Sequence, residues 1–179
     1  VSPEPFLGEV DAAPVHHHIL SVLVENKAGV LARIAGLFAR RGFNIYSLAV
    51  APSEGHARFS RVTIVVDAQS APLEQIVGQL DKLVNVVEIT DLAPQDALER
   101  ELLLASVPID ETRRADVLGV TARTGASIVD VSPVSVTVML AGTPEACDAL
   151  ERELEAFGDV ALQRTGRVAL PRLGQMASA

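Results

Sequence analysis

The reactive residue types in this sequence are few and poorly grouped. Its histidines are His16, His17, His18 and His56, and its one thiol is Cys147. Three consecutive histidines at the start of an extended segment cannot converge on one metal, because neighbouring strand residues point to opposite faces. Cys147 falls within a helical pattern, where a free cysteine ordinarily acts as a small buried hydrophobe. Carboxylates are plentiful but scattered. Glu99, Glu101, Glu151, Glu153 and Glu155 lie around helical patterns and read as solvated faces. No nucleophile elbow, zinc-protease motif, phosphate-binding loop or dinucleotide fingerprint occurs. The expectation is a chain with no catalytic residues and no metal site.

The segment with a definite binding chemistry is Asn26-Lys27-Ala28-Gly29-Val30-Leu31, where a strand pattern gives way to a helical one. A helix start presents unpaired N–H groups and partial positive charge, which suit a carboxylate. Gly29 has no Cβ to keep a ligand from the backbone. Asn26 ends one strand pattern and Asn44 opens the next, which predicts both at the same edge of a sheet. Their amide oxygens would then accept hydrogen bonds from an ammonium group. With an apolar wall from Val30, Leu31 and Ile45, the set describes a small apolar α-amino acid. The plainer alternative is that Gly29 makes a tight turn and the asparagines only cap. Acylphosphatases of similar fold place an arginine after the first strand, but Arg33 here lies a full turn inside the helix.

The elements that must position these residues are readable from periodicity. Strand patterns cover residues 18–25, 44–51, 58–67 and 84–91, and helical patterns cover 30–41 and 72–83. Leu31, Ile34, Ala35 and Phe38 form the expected inner face of the first helix, and Gly42 its stop. In the second helix Leu73, Ile76, Val77 and Leu80 point inward. The order β-α-β-β-α-β is the ferredoxin-like arrangement, a four-stranded antiparallel sheet with both helices on one face. The other face requires cover from another domain or subunit.

After Pro94-Gln95-Asp96 the plan starts again. Strand patterns at 98–109, 126–132 and 134–141 alternate with helical ones at 111–124 and 144–157, and an extended stretch closes at 159–170. Ala39-Arg40-Arg41-Gly42-Phe43-Asn44-Ile45 aligns with Ala122-Arg123-Thr124-Gly125-Ala126-Ser127-Ile128, so the halves read as repeats of one unit. At the second unit's first helix, Asp110-Glu111-Thr112 would repel a carboxylate; only the first unit is expected to bind one. The fold class is therefore α+β, two ferredoxin-like βαββαβ domains in tandem. Residues 1–15 read as a disordered leader, 16–92 as the first domain and 97–179 as the second.

The remaining expectations come from composition. Hydrophobic residues make up 49% of the chain and aromatic ones 3%, so the core is built from aliphatic side chains. A net charge of -8 disfavours nucleic acid and anionic membranes as partners. A single thiol and the absence of a long apolar run fit a cytoplasmic protein.

At the level of whole strings, ILSVLVENKAGVLARIAGLFARRGFNIYSLAVAP resembles the start of acetolactate synthase small (regulatory) subunits. The resemblance continues through SRVTIVV, PLEQIVGQLDKLVNVVEITDL, ERELLL and IVDVSP. It implies that the first domain is an ACT domain that pairs edge to edge with a second copy. Valine, or leucine or isoleucine, would bind at that dimer interface, against Asn26, Ala28, Gly29, Val30, Leu31, Asn44 and Ile45. It implies a homodimer or larger assembly that binds, activates and feedback-regulates a catalytic subunit. Thiamine diphosphate, Mg and FAD would belong to that partner. A free-standing ACT-domain sensor acting on another partner is the alternative. Tyr46 stands where the family commonly has an acid, and Ala32 where some members have a small hydroxyl residue; both bear on effector preference.

Overall fold

The computed structural model describes residues 17–53, 58–67, 72–93, 95–110 and 113–173. The expected leader, His16, His56, Pro94, Glu111 and Thr112 lie outside the described residues.

The first unit runs β1 (His17–Glu25), α1 (Val30–Arg41), β2 (Ile45–Pro52), β3 (Phe59–Asp67), α2 (Leu73–Leu80) and β4 (Val86–Leu92). Its sheet has the order β2-β3-β1-β4 with antiparallel pairs throughout. The second unit runs β5 (Ala97–Pro108), α3 (Arg114–Thr124), β6 (Ser127–Val131), β7 (Ser135–Gly142), α4 (Pro144–Leu154), β8 (Ala161–Arg164) and β9 (Val168–Pro171). Its order, β6-β7-β5-β8, repeats the first. The fold is thus α+β, with two ferredoxin-like units in tandem.

Alternation along the strands decides which face is buried. Leu20, Val22, Val24, Val62, Ile64 and Val66 face the helices and form one core with Val30, Ile34, Leu37 and Phe38 of α1. Burying a side chain of this size contributes about 1.5–3 kcal/mol. The inner face of α1 is therefore turned from the expected one: Leu31 is 44% exposed and Ala35 is also exposed. The inward stripe follows the i, i+4, i+7 and i+8 positions from Val30, so Val30, Ile34, Leu37 and Phe38 take the buried face. Gly42 ends α1 with φ +69°, and Gly125 ends α3 with φ +73°. The repeat extends to a β-bulge: the β2–β3 register slips between Ile45 and Ser47, and the β6–β7 register between Ile128 and Asp130. Tyr46 and Val129, the extra residues, occupy equivalent places.

Three further expectations are corrected. The helix expected over 144–157 ends at Leu154 and gives way to a tighter 3-10 turn over Glu155–Phe157. Those expected over 72–83 and 111–124 are shorter, spanning Leu73–Leu80 and Arg114–Thr124. The single extended stretch over 159–170 is two strands, both paired with β5. Residues 103–106 of β5 take β8, and residues 97–100 take β9. Thr165, Gly166 and Arg167 connect them.

β9 and the start of β5 cover part of the outer face of the first sheet from within the same chain. Ile19, Val65 and Leu92 pack there against Ala97 and Ala169. Gly166 lies so close to β2 that an added Cβ would overlap the Leu48 carbonyl and come within 3.1 Å of the Ala49 nitrogen.

Candidate functional site

Four residues, Asn26 to Gly29, join β1 to α1, and all are exposed. Gly29 caps the helix in the left-handed region, φ +82°, which an L-residue adopts only under strain. No side chain caps α1, and its first turn holds no acid. The Val30 amide donates back to the Lys27 carbonyl at 3.3 Å and Arg33 to Gly29 at 3.0 Å. Among the described residues the Leu31 and Ala32 amides find no backbone acceptor, so this helix start keeps its positive end open.

The matching start of α3 is closed. Asp110 accepts the Arg113 amide at 2.9 Å through Oδ1, and Asp116 lies in the first turn. Carboxylates already occupy the positive end there, so the two units differ in the property that suits an anionic ligand.

Asn26, Ala28, Gly29, Val30 and Leu31 come together at this junction, with Val30 turned into the core and Leu31 left outside. Asn44 and Ile45 do not join them. Glu25 pairs with Phe59 at the start of β3, whereas Ile45 pairs with Val66 near its end. At about 3.3 Å per residue, the two sets are ~23 Å apart along β3. The expectation of one shared edge fails because β1 and β2, both antiparallel to β3, run parallel to each other: the end of one and the start of the other lie at opposite ends of the sheet.

Arg33, the residue of the acyl-phosphate alternative, is turned away from the Gly29 backbone. Its Nη1 donates to Asn85 Oδ1 at 2.8 Å, and Asn85 Nδ2 donates to Glu25 Oε2 at 2.6 Å. Cys147 is fully buried, and burial raises its thiol above the ordinary range, which suits packing and opposes nucleophilic use. His17 lies against the Tyr46 ring, centroids 4.2 Å apart. No cluster of three metal-ligating side chains forms among the described residues, and no helix is long and apolar enough to cross a membrane.

A second group of charges escaped sequence reasoning. Glu99 and Glu101 do not decorate a helix; both lie in β5, and Glu101 is only 6% exposed. Arg164 reaches Glu101 with two nitrogens, and its Nη1 meets Asp148 at 2.6 Å and Glu151 at 3.1 Å on α4. Arg167 Nε donates to the other Glu101 oxygen at 2.9 Å, and its Nη1 to Glu99 at 3.2 Å. Burial alone would lower the Arg167 pKa, but its bonds to Glu101 and the charge of Glu99 outweigh burial and raise it. The same guanidinium stands 5.0 Å over the Tyr46 ring, and the Arg167 amide donates to Ser47 Oγ at 2.7 Å.

Set beside known proteins, residues 20–88 match a family model described as an AHAS small subunit-like ACT domain. Residues 100–173 match one described as small subunit of acetolactate synthase. An acetolactate synthase small subunit of Mycolicibacterium smegmatis is 46% identical over 87% of this chain and 91% of its own. That of Mycobacterium bovis is 48% identical over 87% and 92%. The crystal structure of the acetolactate synthase small subunit from Thermotoga maritima superposes with a TM-score of 0.81 at 36% identity, over 88% of this chain and 98% of that one.

Proposed function

Because this chain belongs to the acetolactate synthase small-subunit family, we propose that it is a non-catalytic regulator which senses a branched-chain amino acid at the Gly29 junction. The open, acid-free start of α1 carries this reading. It offers N–H donors to a carboxylate, and the exposed Leu31 offers an apolar wall. Asn26 offers one ammonium acceptor at the junction; the second, Asn44, lies at the far end of its own sheet.

A second copy supplies it. β2 is an edge strand of the first sheet. Antiparallel pairing of two β2 strands about a two-fold axis reverses one copy against the other. The partner's start of β2, with Asn44 and Ile45, then comes to the same end as Asn26, Ala28, Gly29, Val30 and Leu31. The effector would sit in the seam, half held by each copy, and its binding would depend on the dimer. The catalytic chemistry, with thiamine diphosphate, Mg and FAD, would belong to a separate subunit in the cytoplasm, which this chain would activate and render sensitive to the effector.

Calorimetry on the full chain with valine, leucine and isoleucine tests the site. One of them should bind, with a heat that disappears on dilution below the dimer dissociation constant. Absence of binding by all three at millimolar concentration would remove the proposed effector.

A further inference from the structure

We propose that Arg167 couples the effector seam to the C-terminal unit, reading the position of β2 through Tyr46 and passing it to Glu101 and α4. The inference rests on the effector reading above and extends it with a route.

Its first support is the bulge. Tyr46 is the extra residue where the β2–β3 register slips, directly after Ile45. A bulge concentrates bending and twist in one place and re-aims its side chain. Ile45 can therefore shift against the seam while Leu48 to Pro52 keep their ladder with β3. Tyr46 is 53% exposed, so it is held by its neighbours and not by the core.

The second support is what Tyr46 and Ser47 touch. Among the described residues, the Arg167 side chain bonds only to Glu99 and Glu101, while its cation covers the Tyr46 ring and its amide holds Ser47 Oγ. Gly166 presses on the Leu48–Ala49 backbone just beyond. One short loop thus grips both the movable bulge and the fixed ladder after it. The Arg167 side chain is 11% exposed and that of Glu101 5%, so a displaced guanidinium leaves the buried Glu101 Oε1 without its donor, while Arg164 keeps Oε2. Glu101 also holds Arg164, which holds Asp148 and Glu151. The far end of this chain of ion pairs is the outer face of α4. A route of this kind has discrete alternatives, because each link is either made or broken.

The test uses holoenzyme reconstituted from the catalytic subunit and the full chain, read in two ways: inhibition by valine, leucine or isoleucine, and calorimetric binding of the same amino acid. Arg167→Gln breaks the link at the buried end. Tyr46→Leu breaks it at an exposed position that cannot unfold the core. In both, binding should stay within about threefold of the unmodified chain, and the inhibition reached at saturating effector should fall to about half or less. The double variant should be no more resistant than either alone. Inhibition unchanged in both variants would overturn the coupling, and so would parallel loss of binding and inhibition in Tyr46→Leu. Failure of the unmodified chain to bind any of the three would instead remove the effector reading, and the coupling with it.

Discussion

Asn26 and Asn44 stand at opposite ends of one sheet, the first beside the start of β3 and the second beside its end. The Asn26 backbone N–H donates to the Arg58 carbonyl at 2.7 Å, and the Asn44 backbone carbonyl accepts from the Asp67 backbone N–H at 3.4 Å. A ligand the size of an amino acid cannot bridge ~23 Å. A site that used both would have to be assembled from two chains, so under the proposed reading dimer formation would be a condition for sensing.

Gly29 separates backbone strain from ligand exclusion. An added Cβ there meets nothing within 4 Å, but φ is +82°. Gly29→Ala should cost about 1 kcal/mol of stability, read by chemical denaturation, and should weaken effector binding modestly. Gly29→Asp should show a similar stability cost but abolish binding, because its carboxylate occupies the open helix end.

Glu101 should matter far more than a surface acid. Its carboxylate joins two arginines at 5% exposure, so Glu101→Gln should cost about 3 kcal/mol in urea unfolding. The Arg123–Glu153 pair has side chains 64% and 37% exposed, and Glu153→Gln should change stability by less than about 0.5 kcal/mol.

Two glycines should respond with opposite sign to alanine. At Gly166 the new Cβ overlaps the Leu48 carbonyl, and Gly166→Ala should destabilise by about 1–3 kcal/mol and expose the domain junction to limited proteolysis. At Gly78, inside α2, the Cβ meets nothing within 4 Å, and Gly78→Ala should stabilise by about 0.5–1 kcal/mol.

His17 gives a pH signature. Burial lowers its pKa below 6.5, and the Arg167 charge lowers it further against the opposing pull of Asp67. The unfolded chain therefore takes up a proton before the folded one does. Stability should be unaffected above about pH 7.5, fall as pH drops through 6.5 toward the folded value, and fall no further from this group below it. Proton NMR titration should find His17 below 6.5 and shifted upward in Arg167→Gln; His17→Gln should remove this part of the pH dependence.

The sequence carried the element order because the signals are local. Gly42 and Gly125 mark helix ends by themselves, and the alternation of Leu20, Val22 and Val24 defines a buried face. The open start of α1 was legible for the same reason, from Gly29 and the lack of acids after it. What was not legible depends on distant partners. Glu101 takes its burial from Arg164 and Arg167, 63 and 66 residues away, and looks like any surface acid without them. Which face of α1 turns inward is set by its packing on the sheet, and Leu31 and Val30 are equally apolar in the string. The separation of Asn26 from Asn44 follows from the parallel sense of β1 and β2, which adjacency in sequence conceals.

Regulation of a catalytic partner through the Gly29 junction is decided by assaying the acetolactate synthase catalytic subunit with and without this chain, titrated with valine, leucine and isoleucine. Adding the chain should raise activity and one of the three should then lower it, while Gly29→Asp should still activate but resist inhibition. Unchanged activity on adding the chain, or inhibition of the Gly29→Asp complex at the same effector concentration, would contradict it.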